Sequence, residues 1–295
     1  MGTDIAQVRA FNRTVAEAIG ALDTRFLGRD RPMGEARLLW EVGEGGADVR
    51  DLRARLGLDS GYASRLIRAL ERDGLVHSVP DPRDRRVRRL ELTPAGLAER
   101  AELDRRSDAL AGDLLDALDP TERVDLVEAM RTAERLLVRA QTTIELADAA
   151  GREVRWCFAR FVAELDARFE GGFDPALSIP ADPDDLLPPR GFVLLARLRG
   201  VPVGCGGVKL HDGGIAEIKR LWIAPAARGR GLGARLLAEL EARSRTAGAT
   251  TARLETNGAL TEAIALYRRT GYREIPRFSA EPYAQHWFEK PLSAP

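Results

Sequence analysis

The sequence predicts two folded units of different class: an all-α unit over residues 1–140, carrying a helix-turn-helix and a β-hairpin wing, and an α/β unit over residues 141–295. Three observations predict this. Apolar residues recur at helical spacing through most of the first half. Within that half, two helices joined by a three-residue turn run into a short arginine-rich hairpin pattern. Beyond Gln141, strand-like runs alternate with helical ones, the mark of an α/β unit. A chain of 295 residues has length enough for two cores of ordinary size.

The elements follow in order. Ile5, Val8, Val15, Ile19, Leu22 and Phe26 predict a first helix, and Leu38, Leu39 and Val42 a second that starts near Gly34 and stops at the glycines of 43–46. A short third helix turns Val49, Leu52 and Leu56 inward, with Asp48 as N-cap. After the turn Gly57-Leu58-Asp59, a fourth buries Ala63, Leu66, Ile67 and Leu70, and Gly74 closes it. Residues 76–79 and 87–92 read as strands around a turn-rich Pro80-Asp81-Pro82-Arg83-Asp84. Thr93-Pro94 opens a helix as N-cap and N1 proline. Two long helices follow, broken at Asp119-Pro120 and lined by Leu103, Leu110, Leu114 and Leu118, then Val124, Val127, Met130 and Leu137. In the second half, strands are expected at 142–146, 192–199, 203–209, 215–223, 251–256 and near Trp287. Helices are expected at 152–169, 231–244 and 261–270.

Composition narrows the function classes. Formal net charge is +0 and neither half is strongly basic, so contact with nucleic acid has to come from a local patch. Cys157 and Cys205 are the only cysteines and have neither metal-ligand nor redox spacing, which predicts no metal site and a reduced, cytoplasmic chain. No run of about 18 apolar residues is present, and the N-terminus lacks the apolar core of a signal peptide.

The order helix, turn, helix, hairpin is that of a winged helix-turn-helix, whose second helix enters the DNA major groove. With Ala63, Leu66, Ile67 and Leu70 committed to the core, the free face shows Ser60, Tyr62, Ser64, Arg65 and Arg68. Hydroxyls suit phosphates, and arginine reads guanine through a bidentate pair. In the hairpin, Arg83, Arg85, Arg86, Arg88 and Arg89 crowd together, a tip suited to the negative potential of the minor groove. Read without context, such a hairpin is also a solvated surface, and winged helices also bind proteins.

Leu52–Leu56, Ser60–Leu75 and DPRDRRVRRLELTPAG from Asp81 to Gly96 resemble the MarR family of bacterial regulators. The resemblance implies binding to double-stranded operator DNA, contact through a wing arginine at Arg85 or Arg86, and a homodimer built by the N-terminal unit's first and last two helices. Without it, the leucine stripes of those helices read equally as internal core.

In the second half, Leu221 to Gly233 (LWIAPAARGRGLG) ends a strand, passes a Pro-containing loop and opens a helix with glycines. Free N–H groups at such a helix start form an anion site suited to a pyrophosphate. Gly229, Gly231 and Ala234 formally fit a dinucleotide fingerprint, with Glu255 downstream, but that motif needs its first glycine directly after the strand and Pro225 intervenes. Arg228, Gly231 and Gly233, as Arg-x-x-Gly-x-Gly, resemble instead the pyrophosphate loop of the GNAT acetyltransferases. EIKRLWIAP (Glu217 to Pro225) is similar to that superfamily's fourth strand, and ALYRRTGYREI (Ala265 to Ile275) to its following helix and turn.

That resemblance implies a mixed, mostly antiparallel sheet and acetyl-CoA as donor, contacted by Leu221, Trp222, Ile223, Arg228, Gly229, Arg230, Gly231, Leu232, Gly233, Ala234 and Asn257. It also implies Tyr267 as catalytic tyrosine. The chemistry asks for a base for the amine, donors for the oxyanion and a proton for the thiolate. Amides near Leu221 and Ile223 suit the oxyanion. Glu217, two strand periods before Leu221 on the same face, is the candidate base; a salt-bridged surface carboxylate is the other reading. Tyr283 and His286 fall near the expected acceptor end, where His286 is equally readable as structural. The expectation is a regulator that acetylates a small-molecule amine by direct transfer. A non-catalytic acetyl-CoA sensor and a protein lysine acetyltransferase are the alternatives.

Overall fold

The structure, a computed structural model, describes residues 2–80, 88–179 and 183–292. It divides into two compact units, Met1–Arg131 and Thr132–Pro295, each with its own core.

The first unit contains α1 (Gly2–Ala18), α2 (Met33–Val42), the two-residue strand β1 (Ala47–Asp48), α3 (Val49–Leu56), α4 (Ser60–Arg72), β2 (Val76–Pro80), β3 (Arg88–Leu92), α5 (Pro94–Asp116) and most of α6 (Pro120–Ala140). Short polar caps start its helices where the sequence places them. Asp48 Oδ1 accepts from the N–H of Arg50 (2.6 Å), Asp59 Oδ1 from Tyr62 (2.9 Å) and Thr93 Oγ1 from Gly96 (3.0 Å). Strands order β1-β3-β2, all antiparallel, and close over Leu38, Leu39, Leu52, Leu70, Leu90 and Leu103. The first helix departs from expectation. It ends at Ala18, and Gly20 at φ +62° turns the chain away. Phe26 then enters the core from a separate 3-10 turn, edge-on to Trp40 at 6.1 Å. Ile5, Val8 and Phe11 stay exposed, as do Leu110, Leu114, Val124 and Met130 on α5 and α6.

Glu99 is the buried charge of this unit. Its carboxylate takes Arg29 (2.5 Å) and Arg31 (3.0 Å). Burial pushes the carboxyl up, but the two guanidiniums outweigh it and the net shift from 4.5 is downward. A depressed pKa contributes stability above the unfolded-state value and loses it as pH falls through the folded one. Glu99→Gln is therefore expected to destabilise this unit by about 2 kcal/mol at pH 7, less than a fully buried pair because Arg29 is partly exposed. The difference from the parent should shrink as pH falls from the unfolded-state value through the lower folded-state one, as denaturant midpoints against pH would measure.

The second unit carries β4 (Thr142–Ala147), α7 (Arg152–Arg168), β5 (Gly191–Leu198), β6 (Val201–His211), β7 (Ile215–Ile223), α8 (Leu232–Thr246), β8 (Thr251–Thr256), α9 (Thr261–Arg269), β9 (Arg273–Ile275) and β10 (His286–Pro291). The seven strands order β4-β5-β6-β7-β8-β10-β9. Every neighbouring pair is antiparallel except β7–β8, so the sheet is mixed and mostly antiparallel as expected. Side chains alternate between faces. Phe192 and Leu194 meet Leu236, Leu237 and Leu240 of α8 on one face; Val193 and Leu195 meet Val154 and Cys157 of α7 on the other.

Candidate active site

Two irregularities of the sheet open the site. Opposite the single Gly206 of β6, strand β7 places two residues, Arg220 and Leu221, between the pairs Gly207–Lys219 and Cys205–Trp222. This is a β-bulge, with Arg220 at φ +53°. A side chain at Gly206 would lie 2.7 Å from Leu240 Cδ1, so a larger residue there would make the Leu240 side chain of α8 shift. Next, β7 pairs with β8 only from Ile215–Thr251 to Glu217–Arg253, although both strands run on. Past that point they part, and a cleft of about 170 Å³ opens between them. Ile218 to Leu221 form one wall and Glu255 to Asn257 the other, with Phe161 and Leu165 of α7 and Tyr267 of α9 also lining it.

The glycine loop lies at the end of β7. Gly229 and Gly231 both sit at φ +76°, and Gly231 caps α8, whose first N–H groups have no carbonyl a turn back to bond. Gly233 packs close, a Cβ there being 3.4 Å from Leu266. Leu232 is buried. Arg228 donates from Nε to Ile223 O (2.9 Å) and pairs with Glu164 (2.5 Å), which also accepts from the Trp222 indole (2.9 Å). Arg230 pairs with Glu134 (2.8 Å). A second cavity, of about 430 Å³, adjoins Gly231 and Ala234 and is lined by Arg135, Arg139, Arg230 and Arg235. A loop of glycine amides with four guanidiniums alongside suits a diphosphate, so the residues present fit the nucleotide end of a coenzyme A ester.

Tyr267 is buried, its ring 5.9 Å from that of Tyr272 and 5.8 Å from Phe288. Burial pushes its phenol far up, so the proton stays on the oxygen. No hydrogen bond from that hydroxyl is found among the described residues. Asn257, just past β8, bonds Tyr283 O (2.8 Å) and accepts from Ala259 (2.9 Å). Leu221, Asn257, Tyr267 and Tyr283 therefore share one cleft.

Other expected site residues lie elsewhere. Trp222 and Ile223 turn their side chains into the apolar packing. Glu217 is held by Lys219 (2.7 Å) and His211 (2.8 Å) and does not line the cleft. Burial raises its carboxyl, but the Lys219 charge and the two hydrogen bonds more than reverse this, leaving it below the usual range. That is the wrong direction for a base. His286 points to Glu274 (2.6 Å) on β9 and stacks on Phe288, also outside the cleft lining.

Sequence reasoning missed Glu164, Lys219 and Glu281, and met Glu255 only as the downstream acid of a dinucleotide fingerprint. Glu164, Lys219 and Glu255 form ion pairs across elements, Lys219 reaching Glu255 at 2.5 Å and Glu164 taking Arg228. Their sequence neighbours carry no sign of it.

In the first unit, α4 exposes Ser60, Tyr62, Ser64, Arg65 and Arg68 on one face and buries Ala63, Leu66, Ile67 and Leu70 on the other. Arg65 lies over the Tyr62 ring at 5.5 Å. Arg88 and Arg89 flank the wing beside Glu71 (3.7 Å) and Glu91 (3.5 Å). Arg83, Arg85 and Arg86 lie outside the described residues.

Residues 158–272 match the sequence model of the acetyltransferase (GNAT) family, and residues 28–87 that of the MarR family. The chain is similar to an IAA acetyltransferase of Azospirillum brasilense, 37% identical over 139 residues that make up 45% of this chain and 89% of that one. An aminoalkylphosphonate N-acetyltransferase of Salmonella typhimurium is 35% identical over 95 residues, 30% of this chain and 62% of its own. Among solved structures, a putative acyl-CoA N-acyltransferase from Klebsiella pneumoniae is 33% identical, covering 52% of this chain and 99% of its own, with a TM-score of 0.44.

Proposed function

Because the chain belongs to the GNAT acetyltransferase family and carries a MarR-family segment ahead of that domain, we propose that it is a DNA-binding regulator that also transfers the acetyl group of acetyl-CoA to a small-molecule amine. The observation that carries this reading is the cleft where β7 and β8 part, which Tyr267 lines, in a unit whose glycine loop follows the end of β7. Acetyl-CoA, when bound, supplies an activated thioester acyl group. The amides of Gly229 to Ala234 hold its diphosphate, with Arg135, Arg139, Arg230 and Arg235 adding charge alongside. The bulge at Arg220–Leu221 interrupts the ladder and frees backbone donors for the oxyanion. Tyr267, kept protonated by burial, gives the thiolate its proton.

Transfer is direct. Cys157 and Cys205 are both buried free thiols, and burial raises Cys205 well above its ordinary pKa, which denies it thiolate character. Two buried free cysteines also fit a reducing, cytoplasmic setting. Similarity to the aminoalkylphosphonate N-acetyltransferase of Salmonella typhimurium supports a small amine as acceptor. A homodimer is supported by the exposed apolar residues of α1, α5 and α6, which need a cover.

Release of coenzyme A thiol, followed across a panel of small amines, tests the enzymatic half: no release with any amine, at saturating acetyl-CoA, ends it. For DNA, the paired change Arg65→Ala and Arg68→Ala is expected to weaken binding to operator DNA. It should also relax the preference for operator over unrelated DNA. Unchanged affinity and preference would show that these arginines of α4 do not reach the base edges.

A further inference from the structure

Glu281, in the segment between β9 and β10, is 8% exposed. Among the described residues, comparably buried carboxylates each have a cation: Glu99 takes Arg29 and Arg31, and Glu241 takes Lys290 at 2.7 Å. Glu281 has none among the described residues. Its partners are neutral donors, Ser178 Oγ (2.9 Å) and the N–H of Ile179 (2.7 Å) on Oε2, and the N–H of Tyr283 (3.3 Å) on Oε1. These orient the carboxylate without offsetting its charge. A buried carboxylate with no counter-ion is expensive, and one that lines a cleft has a cheap remedy, a cation brought by the ligand.

The surroundings specify that cation. Phe169, Phe173 and Tyr283 line the same cleft, with ring centroids 4.7 Å apart for Phe173–Tyr283, 5.8 Å for Phe169–Phe173 and 5.9 Å for Phe169–Tyr283. Aromatic faces attract cations and cover apolar bodies. Two described cations line the cleft: Lys219 is bound by Glu217 and Glu255, two carboxylates for one ammonium, and Arg220 lies over the Phe158 ring at 4.6 Å.

We propose that the acceptor is a primary ammonium compound with an apolar or aromatic body, whose cation is held by Glu281 on binding while the Phe169–Phe173–Tyr283 rings cover the rest. Before attack the ammonium gives one proton to water, and the second proton the nitrogen loses replaces the one Tyr267 passes to the thiolate. This rests on the reading of the cleft as an acetyl-transfer site. It makes Glu281 the residue that selects acceptors, and it separates this chain from acetyltransferases whose amines carry a phosphonate.

The test uses the full chain with 2-phenylethylamine, hexylamine and aminomethylphosphonate as acceptors, and calorimetry with N,N,N-trimethyl-2-phenylethylammonium, which cannot be acetylated. The expected order of kcat/KM places the two apolar amines above the phosphonate. Glu281→Gln should raise KM for 2-phenylethylamine about tenfold or more, and weaken the trimethylammonium probe alike, because a charge-assisted contact is lost. Affinity for acetyl-CoA should not change. Glu281→Asp should recover part of the loss. Equal KM and equal probe affinity in wild type and Glu281→Gln, or a preference for the phosphonate, overturns the proposal. If the wild type binds no acetyl-CoA and acetylates no amine, the acetyl-transfer reading itself fails, a result distinguishable from the first.

Discussion

Replacing Tyr267 with phenylalanine is expected to lower kcat for amine acetylation by about 10²- to 10⁴-fold, the range a positioned general acid contributes. The KM values should stay within a few-fold and Tm should not move. The physical argument separates ring from hydroxyl. The ring is core, packed on Tyr272 and Phe288, and phenylalanine keeps it. The hydroxyl has no protein partner among the described residues, so its removal breaks no internal hydrogen bond and leaves no orphaned group. Burial holds its proton in place, which makes it a donor and never a base near neutral pH. Steady-state kinetics beside a thermal melt would check this. A variant that keeps kcat within threefold would remove Tyr267 from the chemistry, and one that melts early would make it a structural residue. Tyr272→Phe is the matched control, since that buried ring does not line the cleft.

The largest loss of stability is expected from Phe288→Ala, about 3–5 kcal/mol, the usual cost of emptying a phenylalanine site in a packed core. Phe288 is 0% exposed and sits at the middle of β10, opposite Leu254 on one side and Glu274 on the other. Its side chain belongs to the cluster that holds α8 and α9 against the sheet, and it forms one wall around Tyr267. Because the first unit has a separate core, that unit should keep its protection. Amide hydrogen exchange under mild denaturant, resolved residue by residue, would show faster opening confined to residues 142–292. An equal loss of protection at Leu38, Leu39 and Leu70 would show that the two cores unfold as one.

How far the sequence could be read varies with the kind of signal. Helix starts were legible because Asp48, Asp59 and Thr93 act locally, on amides two or three residues away. The alternation of Phe192 to Leu195 was legible because strand period is a property of consecutive residues. The first helix was overextended for a related reason: Ile19, Leu22 and Phe26 keep helical spacing, but Gly20 takes a left-handed conformation and Phe26 reaches the core from a different turn. Spacing does not register such a break.

The site divides along the same line. Sequence alone located the glycine loop, Tyr267 and Asn257 as candidates, through contiguous motifs that resemble those of the GNAT acetyltransferases. It also determined the exposed Ser, Tyr and Arg face of α4, because a helix with four buried positions leaves the rest outward. Only tertiary structure decided which carboxylates matter. Glu217 carried the expectation of a base but spends its charge on Lys219 and His211, whereas Glu281, in an unremarkable loop, lines the cleft without a cation. The reason is physical: a carboxylate's character is set by burial and by the groups within a few ångströms. For Glu281 these include Ser178, 103 positions away along the chain; for Glu217 they are Lys219 and His211, near in sequence but brought onto one carboxylate only by the folded strands.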